Sequence, residues 1–158
     1  MTSGTRGAHR IGVISDTHGL VRPQALAALR GSELIIHAGD VGAPEVLERL
    51  RALAPVAAVR GNVDRGAWAD ELPEERTVEV DGARIHVIHN VKAMTATPEG
   101  CRLVISGHSH KPSIQRRDGV VYLNPGSAGP RRFTLPVAVA TIRLTRRGAR
   151  PKLVELTV

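Results

Sequence analysis

Ile11-Gly12-Val13-Ile14-Ser15-Asp16-Thr17-His18 opens on an unbroken apolar run and then turns polar all at once. A strand with one wet face would alternate, so a run of this kind suits a strand buried on both faces. The same form recurs at Leu34 to His37, Val56 to Val59, Ile85 to Ile88 and Leu103 to Ser106. Helical patterns separate the first three. Pro23 to Leu29 has proline at a first-turn position and Leu26 and Leu29 three apart; Pro44 to Leu53 puts Val46, Leu47, Leu50 and Leu53 in one stripe, with Glu45, Glu48, Arg49 and Arg51 largely outside it. Strand, helix, strand, helix, strand predicts a parallel α/β core in the first half.

The second half changes character. Thr77 to Val80, Asp81-Gly82 and Ile85 to Ile88 predict a hairpin, because Asp-Gly is a favoured two-residue turn. Val120 to Leu123, Val137 to Leu144 and Leu153 to Val158 read as strands with little helix between them. The expected fold is a mixed α/β sandwich, parallel early and increasingly antiparallel late. A chain of 158 residues fits one domain, expected over residues 10–158 after a disordered N-terminal segment, 1–9.

Apolar residues make up 42% of the chain but aromatics only 2%, so the core must be built from Val, Leu, Ile and Ala. The formal charge of +7 suits an anionic substrate or nonspecific contact with nucleic acid, without choosing between them. Its arginines are scattered, with some concentration at Arg116, Arg117, Arg131, Arg132, Arg143, Arg146, Arg147 and Arg150, and read first as a solvated basic surface. Single-strand binding would add stacking aromatics, and only Trp68, Tyr122 and Phe133 are on offer. Cys101 is alone, which excludes an internal disulfide and gives no sign of an oxidising compartment. Met1 to Arg10 does not read as a signal peptide, and no apolar run approaches the roughly 20 residues that span a bilayer, so a cytoplasmic protein is expected.

The chemistry lies just past the buried runs. They lead in turn to Asp16-Thr17-His18, Gly39-Asp40, Gly61-Asn62, His89 and Gly107-His108-Ser109-His110. Open α/β sheets place ligands at such carboxyl ends. Asp16 with His18, and His108 with His110, are two apart and in extended backbone would face the same way. A glycine before Asp40, Asn62 and His108 permits unusual dihedrals and close approach. Carboxylate, imidazole and amide donors without thiolate suit Mn, Fe, Zn, Ni or Co. Seven candidate ligands exceed what one tetrahedral ion needs and point to two ions. His37 and His86, an odd number of residues from Asp40 and His89, would face away and read as packing or hydrogen-bonded histidines.

Asp-x-His, Gly-Asp, Gly-Asn, a lone His and Gly-His-x-His, in this order over about residues 10–145, resemble the calcineurin-like metallophosphoesterases. Ser15-Asp16-Thr17-His18, Gly61-Asn62-Val63-Asp64, Gly107-His108-Ser109-His110 and Asn124-Pro125-Gly126-Ser127 look like the small phosphodiesterases of the YfcE type. The resemblance implies two sheets flanked by helices and two divalent ions, with manganese favoured as the activating one. Asp16, His18, Asp40 and His110 would hold the first, and Asp40, Asn62, His89 and His108 the second. A water bridging them, as hydroxide, would be the nucleophile on a small phosphodiester.

Many larger relatives carry histidine after the Gly-Asn asparagine, as the proton donor to the leaving group; here Val63 stands there, so no protein acid is identified and esters with good leaving groups are expected to react best. Asn90 stands where the family usually has glycine, which makes His89 the least regular ligand. Asp64 is expected to orient a ligand histidine, and Arg131 or Arg132 to contact substrate phosphate. Two rival readings share the fold or the chemistry: a non-catalytic scaffold like the vacuolar protein sorting 29 subunit of retromer, and a nuclease. Seven competent ligand positions speak against the scaffold. The physiological substrate and the oligomeric state are not legible.

Overall fold

A computed structural model describes residues 7–158. The first half runs β1 (Ala8–Ile14), α1 (Pro23–Leu29), β2 (Leu34–His37), α2 (Pro44–Arg51), β3 (Val56–Ala58) and the short α3 (Ala67–Asp70). Then follow β4 (Glu75–Val80), β5 (Ala83–Ile88), β6 (Cys101–Ile105), β7 (Ser113–Arg117), β8 (Val120–Asn124), β9 (Ala138–Thr145) and β10 (Gly148–Glu155). Of the expected disordered segment, residues 1–6 lie outside the described residues, while Ala8 and His9 belong to β1 and pair with Thr145 and Leu144.

Two five-stranded sheets result, ordered β10-β9-β1-β2-β3 and β4-β5-β6-β8-β7. In the first, β1, β2 and β3 are parallel, and β9 and β10 extend the sheet antiparallel. In the second, β4 and β5 form the expected hairpin, with Asp81 (φ 50°) and Gly82 (φ 83°) both left-handed as a tight turn requires. The expectation of increasing antiparallel character fails at the centre of this sheet, where β5, β6 and β8 are parallel. Parallel strands need crossovers, but here one contains only a 3-10 turn (Val91–Ala93) and the other is β7 itself. β7 escaped sequence reading because Ser113–Arg117 is exposed at every position, with no apolar face to mark it.

The sandwich core joins Ile11, Val13, Ile36, Ala140 and Ile142 of the first sheet to Ile85, Val87, Leu103, Ile105 and Leu123 of the second, without an aromatic ring. A second cluster seats α1 and α2 on the outer face of the first sheet through Ala25, Leu29, Val46, Leu47 and Leu50 against Ile14, Ile35 and Val139. Removing a side chain such as Leu50, which is fully buried, would cost about 2–5 kcal/mol. Five parallel strands (β1, β2, β3, β5 and β6) thus deliver their carboxyl ends to the segments bearing Asp16, Asp40, Asn62, His89 and His108.

Candidate metal centre

The two sheets are stitched together at this edge. The His89 ring donates from Nδ1 to the Ala38 carbonyl (2.8 Å), reaching from the second sheet to the first, and the His108 amide donates to Asp16 Oδ2 (3.1 Å) in the same direction. Within the first sheet, the amides of Asp16 and His18 donate to the carbonyls of Gly39 and Asp40, each at 3.0 Å. The Ser15 hydroxyl donates to Asp16 Oδ2 (2.8 Å), leaving Asp16 Oδ1 to face the centre.

Asp16, His18, Asp40, His108 and His110 all have left-handed backbone, with φ of 54°, 48°, 56°, 72° and 64°. The alternation argument for the two-apart pairs therefore does not apply: turns off the strands, not extended backbone, aim these side chains. Each such residue is strained by on the order of 1–3 kcal/mol and persists only where its surroundings fix it. Of the two properties expected of the preceding glycines, dihedral freedom holds only at Gly39. Gly39 is left-handed, but Gly61 and Gly107 are not; they are required for space. A Cβ at Gly61 would lie 2.1 Å from the Asp40 amide nitrogen, and one at Gly107 would lie 2.1 Å from Ser15 Oγ and 2.6 Å from Asp16 Oδ2.

Ligand-type atoms of Asp16, His18 and His110, and of Asp16, Asp40 and His89, lie within 4.8 Å of one another. His89 Nε2 is 3.3 Å from Asp40 Oδ2 and 3.9 Å from Asp16 Oδ1; His110 Nε2 is 3.5 Å from Asp16 Oδ1 and His18 Nε2 3.8 Å from Asp40 Oδ2. The rings of His89 and His108 meet edge to face at 5.2 Å, and those of His18 and His110 lie 5.5 Å apart. Asn62 sits at the exposed rim. Four buried atoms here, Asp16 Oδ1, His18 Nε2, His89 Nε2 and His110 Nδ1, have no hydrogen-bond partner. Orphaned buried polar atoms cost about 1–3 kcal/mol each, so their presence in two ligand groups that share Asp16 fits bound cations. With Nδ1 of His89 donating to a carbonyl, its Nε2 is left as the lone-pair nitrogen a metal needs.

Burial pushes the Asp16 carboxyl up, against the hydrogen bond from Ser15. Burial acts the same way on Asp40, but the neighbouring His89 ring, 3.3 Å away, and a hydrogen bond from the Val63 amide overcome it and hold Asp40 at about 2. Burial lowers His89, and Asp40 more than reverses this. Burial lowers His110, with the charge of Arg132 among the further causes. Arg131 and Arg132 are both exposed, and Arg132 is the one whose charge reaches the centre.

Asp64 corrects an expectation. Its buried carboxylate accepts from the amides of Val41 (3.1 Å), Gly42 (2.8 Å) and Gly61 (2.8 Å), so it fixes the loops that carry Asp40 and Asn62 instead of orienting a histidine. His37 is hydrogen-bonded as expected, Nε2 to the Thr17 hydroxyl (3.0 Å) and Nδ1 accepting from the Gly39 amide (3.1 Å). His86 likewise meets Thr77 at 3.0 Å. His9, in the polar terminus, reaches Glu33 and Asp81. Asn90 has φ −112°, ordinary extended backbone, so nothing after His89 demands glycine. The Asn124-Pro125-Gly126-Ser127 turn braces the centre: Asn124 Nδ2 donates to the Gly107 carbonyl (2.9 Å) and the Ser127 hydroxyl to the Asp16 carbonyl (3.0 Å). Ser15 and Thr17 were not singled out by sequence, since a small hydroxyl at a strand end carries no pattern of its own.

Strand ends of two sheets, meeting over clustered aspartate and histidine, are the architecture of a metallophosphoesterase. The chain belongs to the calcineurin-like phosphoesterase superfamily, whose sequence model matches residues 10–147. It is 40% identical over 148 residues to a probable metallophosphoesterase of Methanothermobacter thermautotrophicus, covering 85% of each chain. Its fold is shared with an archaeal phosphodiesterase (TM-score 0.75, 23% identity, 92% of this chain and 99% of the other). It is shared equally with Vps29 of Chaetomium thermophilum (TM-score 0.74, 18% identity, 92% and 97%).

Proposed function

We propose that the chain is a phosphodiesterase working with two divalent ions, one held by Asp16, His18, Asp40 and His110 and the other by Asp40, Asn62, His89 and His108. The observation that carries this reading is the presence of four orphaned buried ligand atoms in two groups that share Asp16. When bound, two such ions supply an activated water as nucleophile and neutralise the phosphate oxygens during in-line displacement. The nitrogen and oxygen donor set suits manganese, iron, zinc, nickel or cobalt, with manganese the first to try.

The chain's own residues prepare the site. Asp40 stays ionised over the whole working range, held low by His89 and the Val63 amide, and would be a ligand to both ions. Ser15 and the His108 amide hold one Asp16 oxygen so that the other points inward. Arg132 adds positive charge beside His110 for an anionic ester. Val63 is 47% exposed and presents no acid to a leaving group, which favours activated diesters over alkyl monoesters. The likeness to Vps29 offers a scaffold as the second reading; four buried, unpartnered ligand atoms among seven competent ligand positions favour the enzyme.

A metal-supplemented assay decides between them. With added Mn²⁺, bis(p-nitrophenyl) phosphate is expected to be hydrolysed faster than alkyl phosphomonoesters. Faster turnover of the monoesters would refute the diesterase reading, and no turnover with any of the five metals would favour the scaffold. Resistance of single-stranded and duplex nucleic acids under the same conditions sets the nuclease aside.

A further inference from the structure

A cavity of about 330 Å³ opens beside His108 on the outer face of the second sheet. Leu103, Ile105, Val121 and Leu123 point into the sandwich. Tyr122 and Asn124 alternate with them along β8 and so face outward, where Gln115 pairs with Tyr122 and Ser113 with Asn124. Among the cavity's lining residues are two cations, Lys92 and Arg117, and no carboxylate. The arginines paired to carboxylates among the described residues are Arg60, with Glu74, and Arg84, with Glu79; Arg117 has no such partner.

Arg117 is nonetheless held in place. Its guanidinium carbon lies 4.3 Å from the centroid of the Tyr122 ring, and the Tyr122 hydroxyl is hydrogen-bonded to Thr97. A guanidinium stacked on an aromatic face keeps its N–H edge free, and that edge matches phosphate oxygens two at a time. Tyr122 stands two residues along β8 from Asn124, about 7 Å. Asn124 in turn is bonded to the Gly107 carbonyl and the Ser109 hydroxyl, on either side of His108. His108 and Arg117 both line the cavity, so an anion on Arg117 would share it with a phosphate at the metal centre.

We infer that this cavity receives one arm of the substrate and that the arm carries its own phosphate group. The substrate class is a small phosphodiester that carries a second phosphate, held by Arg117 and Lys92. The inference rests on the phosphodiesterase reading above, and the test separates the two.

The probe is thymidine 3′,5′-bisphosphate against thymidine 3′-monophosphate, each titrated calorimetrically into the full chain supplied with Mn²⁺. The bisphosphate is expected to bind at least about tenfold more tightly, as a charge-assisted contact to a second phosphate should give. Arg117→Met, and separately Lys92→Met, should bring the ratio toward one. Arg143→Met, an exposed arginine on β9, should leave it unchanged. The p-nitrophenyl diester of thymidine 3′-phosphate, with and without a 5′-phosphate, should show the same ordering in kcat/KM. Equal binding of the two nucleotides by the wild-type chain, or a preference that persists in both Arg117→Met and Lys92→Met, overturns the inference. If the binding preference responds to Arg117 but neither diester is hydrolysed with any metal, the hydrolytic reading fails and the anion subsite stands.

Discussion

Replacing Asp64 by alanine should damage the metal centre without touching a ligand. The Asp64 side chain is 5% exposed in its residue and accepts three backbone amides, those of Val41, Gly42 and Gly61. Hydrogen bonds to a charged acceptor are worth about 1.5–3 kcal/mol each. Gly42 is exposed and its amide can rehydrate, so two donors are left without a partner, and the expected loss is about 3–5 kcal/mol. With a urea m-value of about 2 kcal/mol/M, the unfolding midpoint should fall by roughly 2 M. Val41 and Gly42 follow Asp40, and Gly61 precedes Asn62, so manganese affinity should also drop about 10–100-fold, as losses of supporting contacts around a metal commonly do. Asp64→Asn retains one acceptor oxygen and should lose less than half as much on both counts. Urea denaturation and calorimetric titration of Mn²⁺ read the two effects. A loss under about 1 kcal/mol, with metal affinity unchanged, would refute the reasoning that this carboxylate holds the loops together.

Gly107→Ala places a methyl 2.1 Å from Ser15 Oγ and 2.6 Å from Asp16 Oδ2; it should cost about 1–3 kcal/mol in thermal or urea unfolding and weaken Mn²⁺ binding by more than tenfold, whereas unchanged binding would mean Asp16 needs no such fixing. His37 is buried and lowered to about 4 from 6.5, so the unfolded chain binds the extra proton between those values; stability present above pH 6.5 is lost as pH falls toward 4, by about 3 kcal/mol. His37→Asn should flatten the urea midpoint over that window with chelator present, and an identical pH profile in both proteins would count against it. Val63→His offers a proton donor at a half-exposed position and should raise kcat on alkyl esters by about tenfold or more, relative to p-nitrophenyl esters; an unaltered ratio of the two rates would dissociate this position from leaving-group protonation.

The strands that build the centre were legible because their apolar runs stop sharply at polar residues, and five of those stops bear the ligand-type side chains. How the side chains are aimed was not legible. Asp16 and His18 looked like a same-side pair on extended backbone, yet both are left-handed, a property that no spacing announces. The role of Asp64 was missed for a related reason: its partners are backbone amides at residues 41, 42 and 61, which leave no trace in residue type. β7 was invisible because an edge strand exposed on both faces has no periodicity, and with it went the cavity that it lines. Of the two properties expected of the glycines, unusual dihedrals and close approach, Gly61 and Gly107 use only the second, and the atoms approached are those of Asp40, Ser15 and Asp16 and not an ion.

On the proposed function Asp40 would be shared by two ions in a seven-ligand site, and metal stoichiometry tests this most directly. Equilibrium dialysis of the wild-type chain against Mn²⁺, with the metal counted by plasma mass spectrometry, should reach two ions per chain. Asp40→Asn should hold one at most and lose diester hydrolysis. Saturation of the wild-type chain at one ion or none, or an Asp40→Asn chain that keeps two ions and full activity, would contradict the account.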